Sequence, residues 1–128
     1  MRKDPSAAEL VRAVREFLEE QAMPRLEGRT AFHARVAANA LAIVERELTL
    51  GPAAAAAEHA RLGALLGAEG TREALGRELC RRIRAGEIDD ADPRLRAHLW
   101  ETTLARVAID QPHYARYRRE RRDRDPPA

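Results

Sequence analysis

The sequence predicts an all-α fold, a compact bundle of about five helices with a short basic C-terminal tail. Three observations carry this. Apolar residues recur at three- and four-residue spacing along most of the chain, no alternating β-branched run interrupts them, and glycine and proline fall where such segments stop. With 128 residues the chain fits one domain. Hydrophobic residues make up 45% and aromatics only 4%, so the core must come from Leu, Val, Ile and Ala.

Pro5-Ser6-Ala7-Ala8-Glu9 opens the first helix with a capping box, in which Ser6 and Glu9 satisfy each other's backbone amides. Leu10, Val14, Phe17 and Leu18 follow on one face, and Pro24 should end the helix near Ala22. Thr30 is the expected cap of a second helix running to about Leu50. Its Phe32, Val36, Ala37, Ala40, Leu41, Ile43, Val44 and Leu48 form an apolar arc broad enough for contact on two sides. Gly51 should stop it, with Pro52 in the first turn of a third helix reaching about residue 66. Ala53 to Ala57 favour helix because alanine loses no side-chain entropy, and they allow close approach of a neighbour.

Gly67 and Gly70 form the next connection. Thr71 caps a fourth helix with Leu75, Leu79 and Ile83 in line, closed by Gly86. Asp92-Pro93 starts a fifth, carrying Leu95, Leu99, Trp100, Leu104 and Val107, with Pro112 as its bound. The helical domain therefore spans 5–117. Residues 118–128 have no apolar stripe and read as a frayed helix end or disordered tail.

Charge excludes some functions. Formal net charge is only +2, and from Arg116 onward six arginines face three acids, so the basicity belongs to the tail. Tyr114 and Tyr117 among those arginines would suit stacking on nucleic acid, but Glu120, Asp123 and Asp125 weaken the field and disfavour that partner. Lys3 is the sole lysine, a bias that high-GC coding explains more simply than a need for guanidinium contacts. Cys80 stands alone, which rules out an internal disulfide, and is expected at the edge of the core. The Met1-Arg2-Lys3 start leads into amphipathic sequence, and no run approaches the roughly 20 apolar residues of a membrane span. The expected location is the cytoplasm of a bacterium.

No catalytic constellation emerges. Ser6, Thr30 and Thr71 are explained by caps. His33, His59, His98 and His113 include neither the zinc-helix pair nor the Glu-x-x-His repeats of di-iron bundles, and the pairing of His98 with Glu101 on one face is too small for a site. No glycine-rich phosphate loop is present. The expectation is a protein that is not an enzyme and holds no metal or cofactor. The informative stretch is the second helix. Arg35, Asn39, Ala42 and Arg46 share a polar stripe, which is either a solvated surface or one that recognises carboxylate or phosphate. His33 and Glu47 fall inside the apolar arc; if buried, Glu47 needs an arginine from another helix.

The string Ala31-Phe32-His33-Ala34-Arg35-Val36-Ala37-Ala38-Asn39-Ala40-Leu41, continued by Ile43-Val44-Glu45-Arg46-Glu47-Leu48, resembles the signature of a bacterial domain-of-unknown-function family. Weaker matches are Ala13-Val14-Arg15-Glu16-Phe17-Leu18, Arg84-Ala85-Gly86 and Ile109-Asp110-Gln111-Pro112-His113-Tyr114, so the resemblance covers roughly residues 5–117. That family is similar to the small companion protein of the levulinate-pathway kinase, an aminoglycoside-phosphotransferase-like enzyme acting on hydroxyacyl-CoA thioesters. The resemblance implies an accessory subunit of such a kinase in acyl-CoA catabolism, with no catalytic residues to carry over. Phe32, His33, Arg35, Asn39, Arg46 and Glu47 are the expected partner contacts. The alternative is a structural homo-oligomer, including a homodimer, or a small-ligand carrier.

Overall fold

A computed structural model describes residues 4–125; the Met1-Arg2-Lys3 start and the end of the tail, 126–128, lie outside the described residues. The described residues hold five α-helices and no strand: α1 Ala7–Phe17, α2 Gly28–Leu66, α3 Arg72–Arg84, α4 Pro93–Asp110 and α5 Ala115–Arg124. The all-α class and the number of helices agree with expectation. They are not the same five helices.

The largest difference is α2. Gly51 does not stop it and Pro52 lies inside a single 39-residue helix, while the expected cap Thr30 is within its first turn. Proline's fixed φ suits the helix, so its cost is the lost amide and the crowding of the preceding turn, roughly 3 kcal/mol. Good helix formers on both sides, Ala53 to Ala57 above all, outweigh that cost locally. Just before it, the Thr49 hydroxyl donates to the carbonyl oxygens of Glu45 (3.0 Å) and Arg46 (3.4 Å), a back-bonding that commonly bends a helix.

Other boundaries fall where local chemistry puts them. Ser6 and Glu9 form the capping box of α1, with Ser6 N–H donating to Glu9 Oε2 at 2.7 Å and Glu9 N–H to Ser6 Oγ at 3.1 Å. Beyond Phe17 the chain loosens into a π-helical turn, Leu18–Ala22, then tightens into a 3₁₀ turn, Met23–Arg25, that accommodates Pro24. Thr71 caps α3 by accepting from Ala74 N–H. Gly86, at φ +75°, closes α3 in a Schellman arrangement: Glu87 N–H reaches Arg82 O and Gly86 N–H reaches Ile83 O. Asp92 caps α4, with Pro93 in its first turn.

The chain divides into two units, Met1–Gly51 and Pro52–Ala128. The second has a leucine core of Leu62, Leu66, Leu75, Leu79 and Leu95, with Leu65, Ala68, Ile83 and Ile88 packed against it. Leu99 and Trp100, expected in this core, are instead exposed, because Leu95 and His98 form the inward row of α4. Cys80 is exposed too, one position beyond the buried Leu79 and so turned away from the core.

For the Arg-rich segment the sequence leaves a frayed helix end and a disordered tail open. Part of the tail is helical, as α5, although it has no apolar stripe. Polar contacts to α4 hold it: Arg124 Nη1 donates to Glu101 at 2.7 Å, and Trp100 Nε1 donates to Glu120 Oε1 at 3.3 Å. Among the described residues, no helix is long and apolar enough to cross a membrane.

Candidate docking surface

In the first unit, α1 and the opening half of α2 are tied together by one carboxylate. Glu45 accepts from Arg12 Nε (2.7 Å) and from Arg15 Nε (3.1 Å), and Arg15 also reaches Glu19 at 3.1 Å. The Glu45 side chain is only 13% exposed. The Arg12 hydrogen bond chiefly holds its carboxyl below the ordinary carboxylate range; burial opposes this, and Arg15 adds to it. A buried cross-helix pair is expected at Glu47 only if that side chain is buried; it is exposed, and the half-buried carboxylate with cross-helix arginines is Glu45.

The inward face of α2 here is built from small residues. Ala31, Ala34, Ala38 and Ala42 lie on it with Leu41 and Glu45, and Ala38 is fully buried. Alanines let a neighbouring backbone approach closely. Most of the expected apolar arc therefore does not face inward, with Leu41 and Ile43 half-buried. Phe32 is 62% exposed, and Val36, Val44 and Leu48 are also open to solvent, as are Ala37 and Ala40. On α1 the same inversion holds: Ala8, Val11, Arg15 and Leu18 are sheltered, while Leu10, Val14 and Phe17 are exposed.

All six expected partner-contact residues sit on this half of α2. Phe32, His33, Arg35, Asn39 and Glu47 are exposed and Arg46 is half-buried. His33 and Glu47 are on the apolar arc, but the arc is outside, so neither is a buried charge. The structure brings Phe32 and His33 together edge to face, with ring centroids 5.6 Å apart. Arg35 and Asn39 flank the arc on one side. Sequence reasoning missed Arg12, Arg15 and Glu45. The available signal was the ladder Ala31, Ala34, Ala38 leading at helical spacing to one carboxylate.

In the second unit two of the clefts lie beside α5, and one histidine is buried. A cleft of about 320 Å³ is lined by Arg61, Glu101, Tyr117, Arg121 and Arg124 beside alanines of α2 and α4. A shallower groove of about 420 Å³ runs along Tyr117, Arg118, Arg121 and Arg122. Arg124 is answered by Glu101 and Glu120, and no Ser, Thr, Cys or His lines either cleft. His98 is 5% exposed, its Nδ1 has no hydrogen-bond partner among the described residues, and burial foremost, then Arg61, pushes its pKa down while Glu58 opposes. Arg61 Nη2 donates to Thr102 Oγ1 at 3.1 Å. Among the described residues, no three His, Cys, Asp or Glu side chains gather as they would around a metal ion.

Residues 24–114, more than half of the chain, match a family described as a domain of unknown function, DUF6285. The matched span takes in α2, α3 and α4 and leaves α1 and α5 outside. No curated protein and no solved structure matches the chain.

Proposed function

The chain belongs to the DUF6285 family, and we propose that it is a non-catalytic binding subunit whose partner is an aminoglycoside-phosphotransferase-like kinase acting on hydroxyacyl-CoA thioesters. The observation that supports a binding role is the inside-out first unit. Its large apolar side chains, Leu10, Val14 and Phe17 on α1 and Phe32, Val36, Val44 and Leu48 on α2, are open to water. Monomeric proteins rarely leave large contiguous apolar patches uncovered unless a partner uses them. The kinase as that partner comes from the resemblance of the second-helix string.

In this reading α1 offers an apolar helical face to the kinase, with Arg35 and Asn39 as polar contacts at the border of the α2 arc. Binding favours the kinase conformation to which this face fits best, so the subunit raises activity without touching the transferred phosphate. The test is co-purification of the full chain with the kinase, and phosphorylation assayed with and without it. A stable complex and a faster kinase support the reading; no complex and an unchanged rate remove it.

A further inference from the structure

We propose that the outer face of α2 pairs with the same face of a second copy, antiparallel and two-fold symmetric about Ala40. This inference rests on the reading of the first unit as a docking element, and it assigns the α2 arc to self-association while leaving the α1 stripe to another protein.

The pattern is the reason. His33, Ala40 and Glu47 are seven residues apart and so lie along nearly one line of the helix. Val36, Ala37, Ile43 and Val44 flank that line, and Phe32 and Leu48 stand at its outer edges near either end. Residues equidistant from Ala40 share a level when the helix is reversed: His33 with Glu47 and Val36 with Val44 close to the seam, Ala37 with Ile43 and Phe32 with Leu48 farther out on its flanks. All are exposed except the half-buried Ile43. A two-fold interface requires this kind of self-complementarity, because each contact is made twice.

Charge selects the direction. Parallel pairing would set Glu47 beside Glu47 and His33 beside His33. Reversal sets an imidazole beside a carboxylate at both ends of the seam, where a ring N–H can donate whichever protonation state His33 holds, and more strongly when it is charged. Spacing supports the same arrangement. The exposed Ala40 at the midpoint lets two helices cross closely, and a repeat of seven suits a shallow crossing of about 20°. The seam from Phe32 to Leu48 spans only about 24 Å at 1.5 Å per residue, so the pair should form and dissociate with concentration.

Sedimentation equilibrium on the full chain, from low micromolar to a few hundred micromolar, tests this. The expected result is a monomer–dimer equilibrium that A40E abolishes, with thermal melting unchanged at low concentration, where both proteins are monomeric, since Ala40 contributes to no core. H33E should weaken the dimer by at least about tenfold, by placing carboxylates together twice, and H33E/E47K should restore most of it. In a C80S background, A40C should cross-link to itself on oxidation, whereas H33C should not. A chain that stays monomeric throughout, a dimer indifferent to A40E, or failure of the charge swap to rescue overturns the proposal. Kinase pull-down with A40E and with F17E separates the two readings. If the wild type proves monomeric yet F17E alone loses the kinase, only the self-pairing fails. If the dimer behaves as expected and no variant binds kinase, only the kinase reading fails.

Discussion

The two units of this chain use opposite rules for what goes inside. From Pro52 onward, leucines from α2, α3 and α4 converge, with Leu62 1% exposed, and arginines remain at the periphery. Up to Gly51, alanines and a carboxylate held by two arginines occupy the inside, and the phenylalanines and most of the valines are turned out. The difference teaches where each unit gets its stability. The second buries a leucine core of its own. The first leaves its phenylalanines, Leu10, Val14, Val36, Val44 and Leu48 largely in water, so they add little to its folding, and any surface that covered them would gain that apolar area on binding.

The sharpest way to break this contrast is a pair of truncations. Leu62→Ala should destabilise by about 2–5 kcal/mol, because it opens a cavity in a packed core. Phe32→Ala, a larger deletion, should change monomer stability by no more than about 0.5 kcal/mol. Chemical denaturation of both variants checks this. Equal losses would mean that Phe32 is covered and that the two units do not differ.

Next in size is the carboxylate that holds α1 to α2. Glu45→Ala should cost about 1 kcal/mol at neutral pH, and a double-mutant cycle with Arg15→Ala should show coupling between the two. Because the folded-state pKa of Glu45 is depressed, its contribution is present above the ordinary glutamate value of about 4.3 and is lost as pH falls through the lower folded value. The gap between wild type and Glu45→Ala should therefore close in acid.

His98 gives a smaller effect of the same sign for a different reason. Its folded pKa is depressed by burial and by Arg61, so the unfolded chain takes up the proton first as pH falls below about 6.5. Stability should decline between neutrality and the lower folded value, and melting temperatures of His98→Leu should show a flatter dependence over that window. The smallest expected signal is local: Glu78, clasped by Arg81 and Arg82, should titrate at about 2 in a carboxyl NMR experiment, with no measurable change in unit packing.

Local chemistry was legible at most helix ends. The capping box at Ser6, the Thr71 and Asp92 caps and the glycine after α3 all act as their residue types dictate, because each depends on neighbours within a few positions. The leucine row of α3 was legible for the same reason. What could not be read was which of two apolar-capable faces α2 turns inward. Bulk favoured the Phe32–Leu48 arc, but close approach favours alanine, and the choice was settled by Glu45, whose partners lie about thirty residues away. Pro52 misled similarly: as an isolated signal it marks a start, and only the helix-forming strength on both sides carries α2 through it. Of the docking residues, location on one helix was legible, whereas their burial was not.

Pro52 has a consequence for how the longest helix opens. With no amide at that position, the carbonyl of Leu48 lacks its usual donor, one turn beyond the Thr49 hydroxyl's own attachments. A rod of 39 residues would ordinarily melt as one cooperative segment. Here the hydrogen-bond ladder has a missing rung near the middle, so fraying that begins at Gly28 can halt there and amides on the leucine-rich side can stay protected while those before it exchange. Deuterium uptake along α2 should accordingly show two protection levels, with the step close to the proline.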